Sequence, residues 1–406
     1  MCGAYPGSGE RTATDRPRVR SSRGMTRTDP RIVVGASSTA ALALLWLVTR
    51  WSALVESTYA SGLGPAVSRW LTAISARTPI SLAEGLVGLV IVAVVTWGCF
   101  GVRRIARHGR TAIAQLAAEA WATLASVALL FLLVWGIGYA RPPLEQRMGW
   151  DAAPPLDHAT LTHLGGQLVD HVNGLYVALH GSPDGGAPTA HDGLPPDTDA
   201  HLDAAWDAAG PTLAIPSEHL FPRGPVKPLM SAPLVSLFGL AGIYFPFTGE
   251  ANVNAAMPAW QQPHTRAHEM AHQRLINHET DANFAGFLVC ISSDDLLVRY
   301  SGWLFAQRQV LRSLQTMDSE GAAVLIHRRH PGVQRDVVFA HRWWGQWKGP
   351  ARTVATQVNN AYLQSVGVTE GVQAYGRSVR LVARWLQTCP TVAACDPVEA
   401  AATRVP

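Results

Sequence analysis

The residues of this chain best suited to chemistry lie together in His268-Glu269-Met270-Ala271-His272. Residues four apart on a helix share one face. His268 and His272 therefore point the same way, and two imidazole nitrogens can meet one Zn²⁺ at about 2.0–2.1 Å. Glu269 is offset by one position, which puts its carboxylate beside the metal, where it can take a proton from the attacking water. The run from Thr265 to Leu275 has no Gly or Pro, and Pro263 stands just before it, so a helix with Thr265 as its cap is expected. A bare pattern of this type arises by chance in about one chain in a hundred of this length. A surface helix with two ordinary histidines is the competing reading.

A catalytic zinc keeps three protein ligands plus water. Just downstream stands Glu279-Thr280-Asp281-Ala282-Asn283-Phe284. Asn277 and His278 are expected to break the first helix and Glu279 to open a second. Glu279 and Asn283 share a face of it, while Ala282 and Ala285 allow close packing. Glu279 is the expected third ligand, with Asp281 and then His278 as rivals. Asn283 is expected to orient a ligand histidine through its second ring nitrogen. A tetrahedral intermediate also needs an oxyanion donor, and Tyr300, Tyr375, His341 and His264 are candidates. Tyr300 lies on a helix that Ser292 or Ser293 would cap. The segment from Gly242 to Asn254 reads as a strand whose edge could pair with an extended peptide, and Pro246 favours an edge strand. An ordinary loop packing its aromatics fits that segment equally well.

These elements sit in a chain of 406 residues, 48% hydrophobic and 15% charged, a balance that fits a membrane part fused to a soluble part. The formal charge of +4 comes largely from an arginine-rich start and one basic loop. No nucleic-acid-binding module accompanies it, so nucleic acid is not an expected partner. Residues 1–30 are polar and basic and are expected to be a disordered tail, with Met25 an alternative start. Three apolar runs follow, at about 32–49, 80–101 and 117–139, each long enough to span a bilayer. In the third, Glu119 and Trp121 mark one edge and Trp135 and Tyr139 the other, as interfacial anchors. Arg103, Arg104, Arg107 and Arg110 crowd the loop between the second and third runs. With the basic N-terminus, they place that side in the cytoplasm and residues 51–79 and 141–406 outside. Residues 181–212, rich in Gly, Pro and Asp, read as a flexible surface insertion. Cys389 and Cys395 are close enough to pair in an oxidising compartment, and two free thiols are the alternative. The cluster His327-Arg328-Arg329-His330 reads as a solvated turn, and Trp343, Trp344 and Trp347 as domain packing.

At the motif, in His-Glu-Met-Ala-His-Gln and Glu-Thr-Asp-Ala-Asn-Phe, the chain resembles an uncharacterised bacterial family of membrane proteins with a zinc-peptidase-like motif. The likeness extends to the stretches around Val55–Pro65, Trp135–Leu144, Gly242–Asn254, Arg299–Leu304 and Val358–Gly376. The Glu-x-x-Ala-Asn element is also similar to the third-ligand helix of gluzincin metallopeptidases, which implies Glu279 as ligand. The family tends to have Gly soon after the motif, where this chain has Arg274 and Leu275. It tends to have Glu where this chain has Asp281, and the shorter Asp favours Glu279 as the ligand.

The expectation is thus a mostly α, α+β protein: three transmembrane helices, then a zincin-like metallopeptidase domain on the outer side. One Zn²⁺ held by His268, His272 and Glu279 would polarise the scissile carbonyl, with Glu269 as base, acting on a peptide or protein substrate. Two alternatives are a zinc hydrolase of another amide or ester of the cell envelope, and a non-catalytic membrane scaffold or sensor with a vestigial zinc site.

Overall fold

The computed structural model describes residues 29–150, 156–181, 189–190, 193–220, 223–365 and 378–402. It is mostly helical, with one small sheet. Three helices are long and apolar enough to cross a membrane: Pro30–Val48, Leu82–His108 and Arg110–Val134. The first packs along the third. Gly35 permits this, because a Cβ there would come within 2.6 Å of the Trp121 ring. One face of the Trp121 ring packs on Gly35, and 41% of the residue remains exposed. Glu119 pairs with Arg104 at 3.0 Å and Arg31 at 3.3 Å, which ties the basic ends of the helices together.

The second and third helices run further toward each other than the apolar runs alone indicate. Arginines are good helix formers, and nothing breaks the chain until Gly109, which turns at φ 56°. At its other end the third helix stops at Val134, short of the expected 139. Trp135 and Tyr139, expected as interfacial anchors, are instead buried. They lie at a short 3₁₀ segment, Gly136–Ala140, that turns into the following domain.

Residues between the first two membrane helices are also structured. A wide π-type turn, Val55–Leu63, leads into the helix Gly64–Ser75. The latter is tied to the motif segment by Ser68 Oγ, which donates to the Gln273 carbonyl at 2.7 Å.

The domain after the third membrane helix is built on two long packed helices, His158–His180 and Leu296–Met317. Tyr176, Trp303, Phe284 and Phe287 are fully buried there, each worth about 1.5–3 kcal/mol relative to exposure. The expected insertion at 181–212 contains a helix, Thr198–Ala209. Its Leu202 and Trp206, one turn apart, are both buried, and the Arg274 guanidinium lies 4.4 Å over the Trp206 ring. An apolar face of Leu202, Ala205, Trp206 and Ala209 outweighs the Gly, Pro and Asp around it.

The sheet has the order β1-β3-β2. β1 (Lys227–Pro228) runs parallel to β3 (Glu250–Val253), and β2 (Gly242–Phe245) runs antiparallel to it, with Gly242 opposite Val253 and Phe245 opposite Glu250. β2 is an edge strand, and Pro246 follows directly after it. The sheet also holds the membrane part. The Glu250 carboxylate accepts from the Leu82 and Ala83 amides at 3.0 and 2.7 Å, capping the second membrane helix where its N–H groups are unpaired. The Glu84 carboxylate accepts from the Met230 and Ser231 amides, both at 2.8 Å. Cys389 and Cys395 are joined in a disulfide.

Candidate metal centre

The motif lies on the helix Gln262–Gln273, with Pro263 in the first turn. Thr265 is inside this helix, and Gln261 occupies the cap position. Ala267, Met270 and Ala271 face the core, while His264, His268 and His272 follow one another a turn apart on the other side. The helix ends earlier than Asn277 and His278 suggest. The Leu275 amide bonds to the His272 carbonyl at 3.0 Å, and the Ile276 amide reaches back to the Ala271 carbonyl at 3.1 Å. This is a Schellman turn. Its left-handed position, usually glycine, is Leu275 at φ 61°. The turn carries the Ile276 carbonyl back to His272, whose Nδ1 donates to it at 2.7 Å. A carbonyl in that place fixes the tautomer and aims Nε2 outward.

The second helix spans Glu279–Ile291, with His278 at its cap. Its approach to the motif helix is close at Gly286, where a Cβ would lie 3.2 Å from the His268 amide nitrogen and 3.3 Å from the His264 carbonyl. Small residues here bring Glu279 onto the two imidazoles. Glu279 Oε2 is 3.1 Å from His268 Nε2, and Oε1 is 3.7 Å from His272 Nε2. Zinc ligands at about 2.0–2.1 Å in a tetrahedron stand about 3.3 Å apart, and these two separations, taken from different carboxylate oxygens, lie on either side of that value. Among the described residues, His268, Glu269 and His272 also offer possible ligand atoms that all lie within 4.8 Å of one another. Burial alone would raise the Glu279 carboxyl, but the two imidazoles more than offset it and hold it far below its ordinary range. Burial would lower His272, but the charge and hydrogen bond of Glu279 and the charge of Glu269 raise it to about 9. The two shifts are one interaction seen from its two ends: the carboxylate and the imidazoles stabilise each other's charged forms.

Glu269 projects differently. One of its carboxylate oxygens lies within 4.8 Å of ligand atoms on both histidines, and the group packs on β2. A Cβ on Gly242 would be 2.5 Å from Glu269 Oε1, and the Tyr244 amide donates to the carboxylate. Burial raises its pKa, and the two imidazoles oppose that. A carboxylate beside the ligand set and against an edge strand can serve as a general base.

The other expected residues are placed elsewhere or used otherwise. Asp281 accepts from the Leu144 amide at 3.1 Å, away from the imidazoles. His278 is bonded through Nε2 to the Tyr139 carbonyl at 3.1 Å. Asn283 acts through its backbone carbonyl, to which His264 Nε2 donates at 3.2 Å. The orienting contact expected of its side chain is made for His272 by the Ile276 carbonyl, while His268 Nδ1 is buried without a partner. Tyr300 is fully buried and donates to Asp336 Oδ2 at 2.6 Å, so its hydroxyl is committed. Its helix is capped by Asp295, which accepts from the Val298 amide, rather than by Ser292 or Ser293. His341 lies exposed on the helix Pro331–Gly345, and Tyr375 lies outside the described residues.

Three residues that the motif does not announce line the site. The Trp135 ring stands edge-on to His272, centroids 5.4 Å apart. Its Nε1 donates to the Tyr362 hydroxyl at 3.2 Å, and that hydroxyl bonds to the Tyr139 hydroxyl at 3.0 Å. Two phenols sharing one hydrogen bond leave one proton over. The Tyr139 ring stands edge-on to His278, centroids 5.4 Å apart, and Trp135 links the pair to His272. Trp135 and Tyr139 read from sequence as membrane-interface aromatics, yet both they and Tyr362 stand in stretches that carry the family likeness. The Trp135 carbonyl accepts from Asn277 Nδ2 at 3.0 Å, and Gly138 leaves room for that amide, since a Cβ there would come within 2.2 Å of it.

A second acidic and histidine group, His171, Asp396 and Glu399, is an ion-pair network. Arg299 Nη2 sits in it, 2.6 Å from Asp396 and 3.3 Å from Glu399, and its charge opposes a cation there.

Residues 59–383 match the family described as "Protein of unknown function (DUF3810)", and because the match takes in most of the chain, the chain belongs to that family. No curated protein and no solved structure matches it.

Proposed function

We propose that this member of the family is a membrane-embedded zinc metallopeptidase. The observation that carries the reading is the Glu279 carboxylate spanning both imidazoles at ligand-to-ligand distances, with Glu269 set just outside them against an edge strand. His268, His272 and Glu279 hold the metal, a gluzincin-type set. When bound, zinc supplies Lewis acidity toward the scissile carbonyl and a lowered water pKa. Glu269 accepts the proton of the attacking water and passes it to the leaving amine. Its burial keeps it basic enough for that exchange. β2 is an edge strand, and an extended substrate adds beside it through the main-chain groups that Glu269 leaves open. That edge is why a peptide is favoured over another amide or ester. The spare phenolic proton of Tyr139 and Tyr362 stabilises the developing oxyanion.

The membrane sets where this happens. The third apolar helix ends at Val134, and the next residue, Trp135, already touches His272. This supports a site close to the bilayer surface, with a peptide segment near a membrane as the fitting substrate. The arginines at 103, 104, 107 and 110 lie at the opposite helix ends, which favours an extracytoplasmic domain. The Cys389–Cys395 disulfide supports the same orientation. Metal analysis of purified full-length protein tests the site. One zinc per chain in wild type and markedly less in Glu279→Ala is the expected result. No zinc in wild type contradicts the reading.

A further inference from the structure

Beside the metal centre runs a groove of about 440 Å³, lined by Ala241, His264, Phe305, Arg308, Arg312 and Trp344 among others. It adjoins the site at two points. His264 is one turn before His268 on the same helix, about 5.4 Å along its axis. Ala241 directly precedes Gly242, the residue packed on Glu269. The groove is thus the continuation of the substrate strand's path past the N-terminal end of β2.

Its chemistry is lopsided. Arg308 and Arg312 are one turn apart on the helix Leu296–Met317, so their guanidinium groups are neighbours. Both are exposed. Among the described residues neither has a hydrogen bond or ion pair, and no carboxylate lines the groove. His264 cannot relieve or add to this charge. Burial first, and the nearby histidine second, pull it down to about 3, and its ring is stacked on Phe305 at 3.7 Å. Two uncompensated like charges a turn apart repel each other, and an anion between them adds two charge-assisted attractions that outweigh that repulsion.

We infer that this groove is a specificity subsite for a carboxylate on the C-terminal side of the cleaved bond. The inference rests on the peptidase reading for the strand's path. A peptide laid antiparallel on β2 runs with its C-terminal end toward Ala241. At about 3.4 Å per residue, one or two residues past the scissile bond bring it between the arginines. Two sources present that group: the terminal α-carboxylate of a short peptide, and an acidic side chain within a longer one.

Binding separates these without turnover. Calorimetry uses full-length, zinc-supplemented Glu269→Gln protein in detergent and two peptide pairs. The first pair is acetyl-tetra-alanine as free acid and as amide. The second is amidated acetyl-peptides ending in Glu and in Gln. Binding of one acid about tenfold tighter than its neutral partner is expected, with that preference lost in Arg308→Gln/Arg312→Gln and the neutral peptides unaffected. A preference in the first pair identifies the α-carboxylate, and one in the second identifies the side chain. Both arginines are exposed, so the double variant is expected to melt as wild type does, and Arg308→Gln alone serves if it does not. Equal affinity within both pairs, no binding of any peptide, or a preference that survives the substitutions overturns the subsite. The peptidase reading fails differently. An acid preference with no hydrolysis of either pair by wild type refutes the peptidase and leaves a carboxylate-binding groove without a cleaved bond beside it, whereas hydrolysis without preference keeps the peptidase and refutes the subsite.

Discussion

Replacing Gly242 by alanine should disable the chain without touching a metal ligand. The added Cβ would stand 2.5 Å from Glu269 Oε1 and 2.8 Å from its Cγ. Ordinary contact begins at 3.4 Å, so the carboxylate must move by about 0.9 Å. The strand cannot retreat instead, because the same Cβ would lie 2.9 Å from the Asn252 carbonyl of β3. A misplacement of about 1 Å costs on the order of 10²-fold in rate, or about 2.7 kcal/mol of barrier. The assay is the hydrolysis rate of a quenched fluorescent peptide mixture at saturation, with zinc content measured on the same preparation. Zinc should stay at the wild-type level while the rate falls about a hundredfold. In Glu269→Gln protein the alanine should add almost no further loss, because both changes act on one carboxylate. Activity within a few-fold of wild type, or loss of zinc along with activity, would refute the placement of Glu269 against β2.

Other outcomes follow from the same geometry. Tyr362→Phe removes a hydroxyl from the phenol pair and should lower kcat by about 10–10³-fold with little change in KM; an unchanged kcat removes the pair from the chemistry. Arg141→Gln breaks a bidentate pair with Glu56, at 2.8 and 2.7 Å, and a 2.7 Å bond to the Leu275 carbonyl. Glu56 is partly exposed, so the cost is set at about 2–3 kcal/mol rather than the full buried-pair value, read as a fall in Tm. Burial raises the Glu56 pKa, but Arg141 more than offsets it and the net shift is downward from 4.5. The pair's stabilisation is therefore complete above about pH 4.5 and is lost as pH falls through the depressed folded value. The wild-type advantage over Arg141→Gln should shrink below pH 4.5. Alkylation of intact cells should leave Cys389 and Cys395 unlabelled until a reductant is added, and labelling without reductant argues against an oxidising location.

Much of this was legible in the sequence, where the signal is local. Apolar runs located the three helices that are long and apolar enough to cross a membrane, because bilayer thickness sets the length required. Helical spacing put His268 and His272 on one face of a helix, and the Glu-x-x-Ala-Asn likeness singled out Glu279, which lies 3.1 and 3.7 Å from the two imidazoles. What stayed hidden depends on contacts far apart in the chain. Trp135 at the end of an apolar run reads as a membrane anchor, and only the turn at Gly136–Ala140 brings it onto His272. Tyr362 meets Tyr139 across more than two hundred residues. Leu275 carries no left-handed signal, since the turn that needs φ 61° is imposed by packing of its side chain near Gly64 and by the Ile276 carbonyl on His272. The helix Thr198–Ala209 was obscured by the Gly, Pro and Asp around it, though Leu202 and Trp206 at one-turn spacing did mark its buried face.

The most direct test of the central claim is a paired measurement on full-length wild-type and Glu269→Gln protein: zinc per chain and zinc-dependent peptide hydrolysis. One zinc in both, with hydrolysis lowered about 10²–10⁴-fold in the variant, is the result expected of a zinc ligand set served by a separate base. A wild-type protein without zinc, or a variant that hydrolyses peptide as fast as wild type, would contradict it.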